Sequence, residues 1–97
     1  MKPQYAPARN YFMRKMQNAS THEWPEGKLA VAVITSDYVE WEREARNTKR
    51  KVQPSKFLTG EWPTLDLWCN VAGLDRDFVI DTYMKCYRLI TTGKVKE

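Results

Sequence analysis

The stretch that decides the fold of this 97-residue chain runs Leu65-Asp66-Leu67-Trp68-Cys69-Asn70-Val71-Ala72-Gly73-Leu74-Asp75-Arg76-Asp77-Phe78-Val79. It predicts a helix, a tight turn at Gly73, and a second helix. The small side chain of Cys69 lets two helices approach, a glycine takes the turn, and Leu74 and Val79 pack the second helix onto the first. This is close to the spacing of a helix-turn-helix unit, so we expect a helix-turn-helix-like C-terminal half.

The rest of the chain also predicts helices within a single domain, since 97 residues support one modest core. Pro, Gly and polar clusters supply the expected boundaries. We expect an extended arm over residues 1–7, a helix over 8–19, a loop over 20–27, a long helix from Lys28 to about Lys51, a short helix over Ser55–Thr59 ending at Gly60, Thr64 as the N-cap of the helix from Leu65, a last helix starting at Asp75 or Arg76, and a tail over 94–97.

The segment Leu29–Thr35 is ambiguous, because its β-branched residues are also compatible with a buried strand. A helical face is visible as well, at the apolar positions Ala30, Ile34, Tyr38, Trp41 and Ala45. This face places the pair Glu42 and Arg46 on the outside of the helix, at i,i+4 spacing. No second alternating segment is available to pair with a strand, so we favour the helix. The predicted fold is an all-α small helical bundle.

The residues that carry most enzyme chemistry are sparse. Cys69 and Cys86 lie in apolar helical contexts, and His22 is the single histidine, whereas a zinc site needs four ligands. The chain has no glycine-rich phosphate loop and no metalloprotease motif. Its longest apolar run, Leu29–Ile34, is too short to cross a bilayer, and the N-terminus lacks the apolar core of a signal peptide. We expect a non-enzymatic, cytoplasmic protein without metal or cofactor.

The basic charge is concentrated between residues 46 and 56, an eleven-residue window without an acid in a chain of net charge +4. Such a cluster is typical of a phosphate-binding surface, although a solvated helix end is an equal alternative. The outward face of the second helix carries Asp75, Asp77 and Asp81, and these carboxylates argue against insertion into a major groove. The predicted nucleic-acid contacts are therefore Arg43, Arg46, Lys49, Arg50, Lys51, Lys56 and Arg76, with Arg9, Arg14 and Lys15 as further cations.

A competing prediction is protein recognition through tryptophan. Four tryptophans are many for a core of this size. Trp24 and Trp62 each precede a proline in a loop, which makes them the candidates for exposed anchors at an interface. The alternative is that both fold back onto the core as lids. A homodimer would also bury a surplus tryptophan.

The chain resembles a group of small phage and prophage proteins. The resemblance covers about residues 29–82 and rests on Ala32-Val33-Ile34, Phe57-Leu58, Trp68-Cys69-Asn70-Val71-Ala72-Gly73-Leu74-Asp75 and Val79. It implies a phage origin and a helical fold, and no reaction. Small phage proteins regulate transcription or disable a host protein. Our first hypothesis is a nucleic-acid-associated regulator that grips DNA phosphates. The alternative is an inhibitor or adaptor acting on a host protein or defence complex.

Overall fold

The computed structural model describes residues 5–20, 25–48 and 51–92. In these ranges every regular element is a helix, which confirms the all-α prediction. The long α2 packs against α3 and α1, and α1 packs against α4. The helices are α1 (Tyr5–Ala19), α2 (Pro25–Asn47), α3 (Thr64–Ala72) and α4 (Arg76–Thr92).

The core consists of the predicted helical faces. All five apolar positions of the expected α2 face are buried, and Leu29, which lies off that face, is 61% exposed. The strand alternative for Leu29–Thr35 is therefore wrong. On α4 the buried residues include Val79, Tyr83 and Cys86, at the spacing of one helix face. Aromatic rings occupy the centre, where Tyr38 stacks on Phe12 with ring centroids 4.5 Å apart.

The corner between α3 and α4 forms where the sequence predicts a turn. Gly73 ends α3 in the left-handed region at φ 70°, and the Leu74 N–H donates to the Cys69 carbonyl oxygen at 2.9 Å. Only glycine adopts this conformation without a steric penalty, which is why α3 ends here. Cys69, Leu74 and Val79 are all buried, but α3 packs mainly against α2 and α4 mainly against α1, so the predicted packing of the second helix onto the first is a minor contact.

Two helices begin earlier than the sequence predicts. In each of them a proline, which predicts a boundary, lies within the first turn of the helix, where proline is tolerated. The expected arm over residues 1–7 ends in helix, since α1 begins at Tyr5 and includes Pro7, while residues 1–4 lie outside the described residues. The expected loop over 20–27 likewise ends early, because α2 begins at Pro25. The first N–H groups of a helix have no intrahelical partner, so a proline there removes no hydrogen bond.

The predictions between α2 and α3 also need correction. The expected short helix over Ser55–Thr59 is a single hydrogen-bonded turn, which Gly60 ends at φ 76°. Pro63 has helical backbone angles, with φ −67° and ψ −15°. Thr64 is consequently the first residue of α3 rather than its N-cap, and the preceding carbonyl of Pro63 accepts the Asp66 N–H at 3.1 Å.

Candidate functional site

The segment between α2 and α3, here called the connecting segment (residues 51–63), is fixed to the helices through its backbone. The Trp41 indole N–H donates to the Gln53 carbonyl oxygen at 2.7 Å, and the Tyr87 hydroxyl donates to that of Val52 at 2.8 Å. The Ser55 N–H donates to the Tyr83 hydroxyl at 2.7 Å. Three aromatic side chains from α2 and α4 therefore hold the connecting segment alongside α2.

A groove of about 320 Å³ lies between α2 and the connecting segment. We call it the Trp62 groove. A second open space of about 420 Å³ adjoins it and shares Trp41, Glu44 and Gln53 with it. The side chains that give the Trp62 groove its chemical character are Asp37, Glu40 and Glu44 from α2 and Lys56, Phe57 and Trp62 from the connecting segment.

The carboxylates of the groove share one face of α2, at positions i, i+3 and i+7. Asp37 accepts a hydrogen bond from the Ser55 hydroxyl at 3.0 Å. Burial raises the pKa of Asp37, the Ser55 hydrogen bond opposes this effect, and repulsion from Glu44 and Glu40 adds to the increase. With Lys56 as the lining cation, the groove carries two net negative charges in a chain of net charge +4.

Trp62 is the large aromatic residue at the mouth of this groove, and 53% of its surface is exposed. Its exposure agrees with the prediction from sequence, and its role stays a prediction. Trp24, the other predicted anchor, lies outside the described residues. Trp41 is buried against Tyr83, with ring centroids 5.0 Å apart. Leu67 at 59% and Leu29 at 61% are the other large apolar side chains that the described ranges expose.

Three of the predicted phosphate contacts, Arg43, Arg46 and Arg76, are paired with acids. Arg43 Nη1 lies 3.4 Å from Glu40 Oε1. Arg46 Nε lies 3.2 Å from Glu42 Oε2. Arg76 Nε lies 2.6 Å from Asp66 Oδ1, and its guanidinium also donates to the Gly60 carbonyl oxygen at 3.2 Å.

Of the four predicted lysine and arginine contacts that remain, Lys51 and Lys56 are exposed and pair with no acid that the structure describes. Lys49 and Arg50 lie outside the described residues. The described ranges as a whole hold eleven Lys and Arg against ten Asp and Glu. The predicted cations therefore do not form one continuous unpaired surface in the part of the chain that the structure describes.

A second basic surface lies on α1, a helix without an acidic residue. Tyr11, Arg14, Lys15 and Asn18 line an open cleft of about 450 Å³ together with Phe78 of α4. The Lys15 ammonium lies 5.6 Å from the centre of the Tyr11 ring. The sequence offered Arg14 and Lys15 only as further cations, because their grouping with Phe78 depends on the packing of α1 against α4.

Glu42 is buried at 3% exposure, so its prediction on the outside of α2 is wrong. Its Oε2 atom accepts from Arg9 at 2.9 Å and from Arg46 at 3.2 Å. The Arg46 guanidinium also covers the Tyr5 ring at 4.6 Å from its centre. Glu42 therefore ties α1 to α2, and we assign Arg9 and Arg46 a structural role in this pairing. Sequence reasoning missed this because Arg9 is 33 residues away from Glu42.

Both cysteines are buried, and burial raises the pKa of Cys69 to about 11 and that of Cys86 to about 12. Within the described ranges, no group of three or more potential ligands is placed to hold a metal ion. No helix in those ranges combines the length and the apolar character that crossing a membrane requires. Comparison with family models, with curated proteins and with solved structures finds no match.

Proposed function

We propose that this chain is a non-enzymatic protein-binding module whose partner docks at the Trp62 groove. The observation that carries this proposal is Trp62, a tryptophan that is 53% exposed at the mouth of a groove. Tryptophan is the residue type most enriched among the anchors of protein interfaces. The groove wall beneath it is held by three aromatic hydrogen bonds, so little order has to be gained on binding.

The phage resemblance gives this module a biological setting. In this setting the module acts by occupying a surface of another protein. The partner is then a host protein or a component of a host defence complex, which the chain inhibits or links to another factor. This setting rests on the resemblance and on analogy with other small phage proteins.

A site-specific photo-crosslinker tests the proposal. We would place p-benzoylphenylalanine at position 62, irradiate the protein in bacterial lysate, and identify the cross-linked proteins by mass spectrometry. The matched control carries the same group at position 29, because Leu29 is similarly exposed and lines none of the clefts described above. We expect a discrete partner from position 62 that position 29 does not capture. Identical products from both positions would contradict the proposal.

A nucleic-acid-associated regulator is the second candidate function, and the α1 cleft is the observation that favours it. Arg14 and Lys15 stand there beside Tyr11 and Phe78 without an opposing acid among the lining residues. Cations interleaved with aromatic rings suit a phosphate backbone and stacked bases. This surface replaces the paired arginines as the better phosphate contact, with Lys51 and Lys56 as additional cations.

Fluorescence anisotropy with a mixed-sequence duplex and with its single strand, at about 50 and about 200 mM salt, tests this second candidate. Binding through several phosphates weakens strongly over that range. Lys15→Gln is expected to weaken binding, and Lys28→Gln, an equal charge change on another exposed lysine, is the control. Replacing Arg46, Lys49, Arg50 and Lys51 by Glu tests the contact surface predicted from sequence. Absence of binding at both salt concentrations would reject the nucleic-acid function.

A further inference from the structure

We propose that the occupant of the Trp62 groove is a basic segment of the partner protein, with Lys or Arg side chains facing α2 and an apolar side chain against Trp62. This inference rests on the proposed function, because it assumes that the groove is where the partner docks. It adds the chemical class of the partner segment, which the exposure of Trp62 alone does not give.

Charge complementarity selects the basic segment. The groove carries Asp37, Glu40 and Glu44 against Lys56, whereas the chain as a whole is positive. An acidic segment would therefore be repelled, and like-charge contacts reject wrong partners effectively. A nucleic-acid strand is disfavoured for the same reason.

The carboxylates are available to an incoming cation. Glu44 forms no ion pair with any residue in the described part of the chain. Glu40 pairs with Arg43 at 3.4 Å, but both side chains are about two-thirds exposed, so this pair contributes little and can be exchanged. Glu40 and Glu44 are one helical turn apart, or roughly 6 Å. That separation matches two side chains on the same face of an extended segment, which repeat every 6–7 Å or so.

Trp62 provides an aromatic contact in addition to the charge contacts of the carboxylates. An exposed indole accepts either an apolar side chain or the flat face of a guanidinium, and tryptophan is the strongest aromatic partner for a cation. Phe57 lines the same groove and is buried, so the floor near Trp62 is apolar. A segment that carries both basic and apolar side chains can pair with the carboxylates and pack against the aromatic rings, whereas a purely hydrophilic cation can only pair with the carboxylates.

The test is a titration by fluorescence anisotropy with two labelled, amidated peptides of equal length, one alternating lysine and leucine and the other alternating glutamate and leucine. We expect the lysine peptide to bind and the glutamate peptide not to bind. Glu40→Gln combined with Glu44→Gln should weaken binding roughly tenfold, as expected for two exposed charge contacts. Trp62→Ala should weaken it by a similar factor. Both variants alter exposed side chains, so they retain the fold, which circular dichroism verifies.

The control for general charge attraction is Asp75→Asn combined with Asp77→Asn, which removes two exposed acids at the start of α4. This variant should bind the lysine peptide as the parent does. Equal binding of the two peptides, equal losses in the control, or an unchanged affinity in the Glu40/Glu44 variant would each overturn the inference. A partner captured at position 62 together with no lysine-peptide binding would leave the proposed function standing and reject only the basic occupant. Binding of the lysine peptide without a captured partner would support the preference of the groove for basic segments and count against the proposed docking of a bacterial protein there.

Discussion

The hydrogen bond from the Ser55 N–H to the Tyr83 hydroxyl, 2.7 Å long, allows a sharp test of how the groove is held. Tyr83→Phe keeps the buried ring and deletes only the acceptor of that bond. A backbone N–H left without a partner costs about 1–3 kcal/mol. At about 2 kcal/mol the Tm of a domain of this size falls by roughly 8–16 °C.

Tyr38→Phe is the matched control, since it deletes the same atom from another fully buried ring. The Tyr38 hydroxyl forms no hydrogen bond of normal geometry among the described residues, and its polar neighbour is the Cys86 thiol, which donates to the Ala8 carbonyl oxygen at 3.3 Å. A thiol is a weak hydrogen-bond partner, so removing this hydroxyl should change the free energy of unfolding by much less than Tyr83→Phe does. The two variants therefore differ in the size of their effect, although each deletes one hydroxyl from a buried ring.

Urea unfolding followed by far-ultraviolet circular dichroism measures both variants, and an unchanged m-value shows that the comparison is between equivalent states. Tyr83→Phe should also weaken lysine-peptide binding below its unfolding range, because Ser55 belongs to the groove wall. Equal losses of stability in the two variants would refute the reasoning, since the ring and not the hydrogen bond would then be responsible.

Three further changes test other features of the structure. Gly60→Ala should destabilise by about 1–2 kcal/mol, because its φ of 76° is strained for alanine and the side chains of Arg76 and Ile80, 2.5 and 2.8 Å from the added Cβ, would have to shift. Thermal melts that show no loss would contradict this geometry. Burial raises the pKa of Cys69 to about 11 and of Cys86 to about 12, so both thiols should react with a disulfide reagent only on unfolding. The thiols have a pKa near 9.0 in the unfolded chain and a higher pKa in the folded chain, so the unfolded state loses its protons first as the pH rises. The free energy of unfolding measured in urea should therefore fall above about pH 9, and an increase there would contradict the prediction. The double variant Arg9→Gln and Arg46→Gln should lower the free energy of unfolding by about 3–5 kcal/mol, because it leaves the buried Glu42 carboxylate without a cation. Adding Glu42→Gln should recover most of this loss. If it recovers none, the loss comes from packing rather than from the unpaired charge.

The helices were predictable from the sequence because a helix face is a local pattern. The spacing of Ala30, Ile34 and Tyr38 identified the buried side of α2, and Gly73 identified the corner before α4. Helix starts were less predictable, since Pro7 and Pro25 are breakers within a helix and acceptable in its first turn.

The candidate site was only partly predictable. The position of Trp62 before a proline indicated its exposure, but the groove beside it depends on hydrogen bonds between residues 12, 28 and 35 positions apart. No local pattern encodes such pairs. The same limitation explains Glu42, whose position on α2 predicted solvent and whose burial follows from the packing of α1 and its Arg9.

The way in which the connecting segment is fixed has a consequence for how this surface can evolve. Three contacts, from Trp41, Tyr83 and Tyr87, all reach backbone atoms of that segment. Every residue type offers a carbonyl, and every type except proline offers an N–H. The exposed side chains of Lys56 and Trp62 can therefore be exchanged without loss of the segment's path along α2, so a library randomised at these two positions should yield many folded members with altered binding preference. The fold thus separates the residues that maintain its shape from those available for adaptation to a new target.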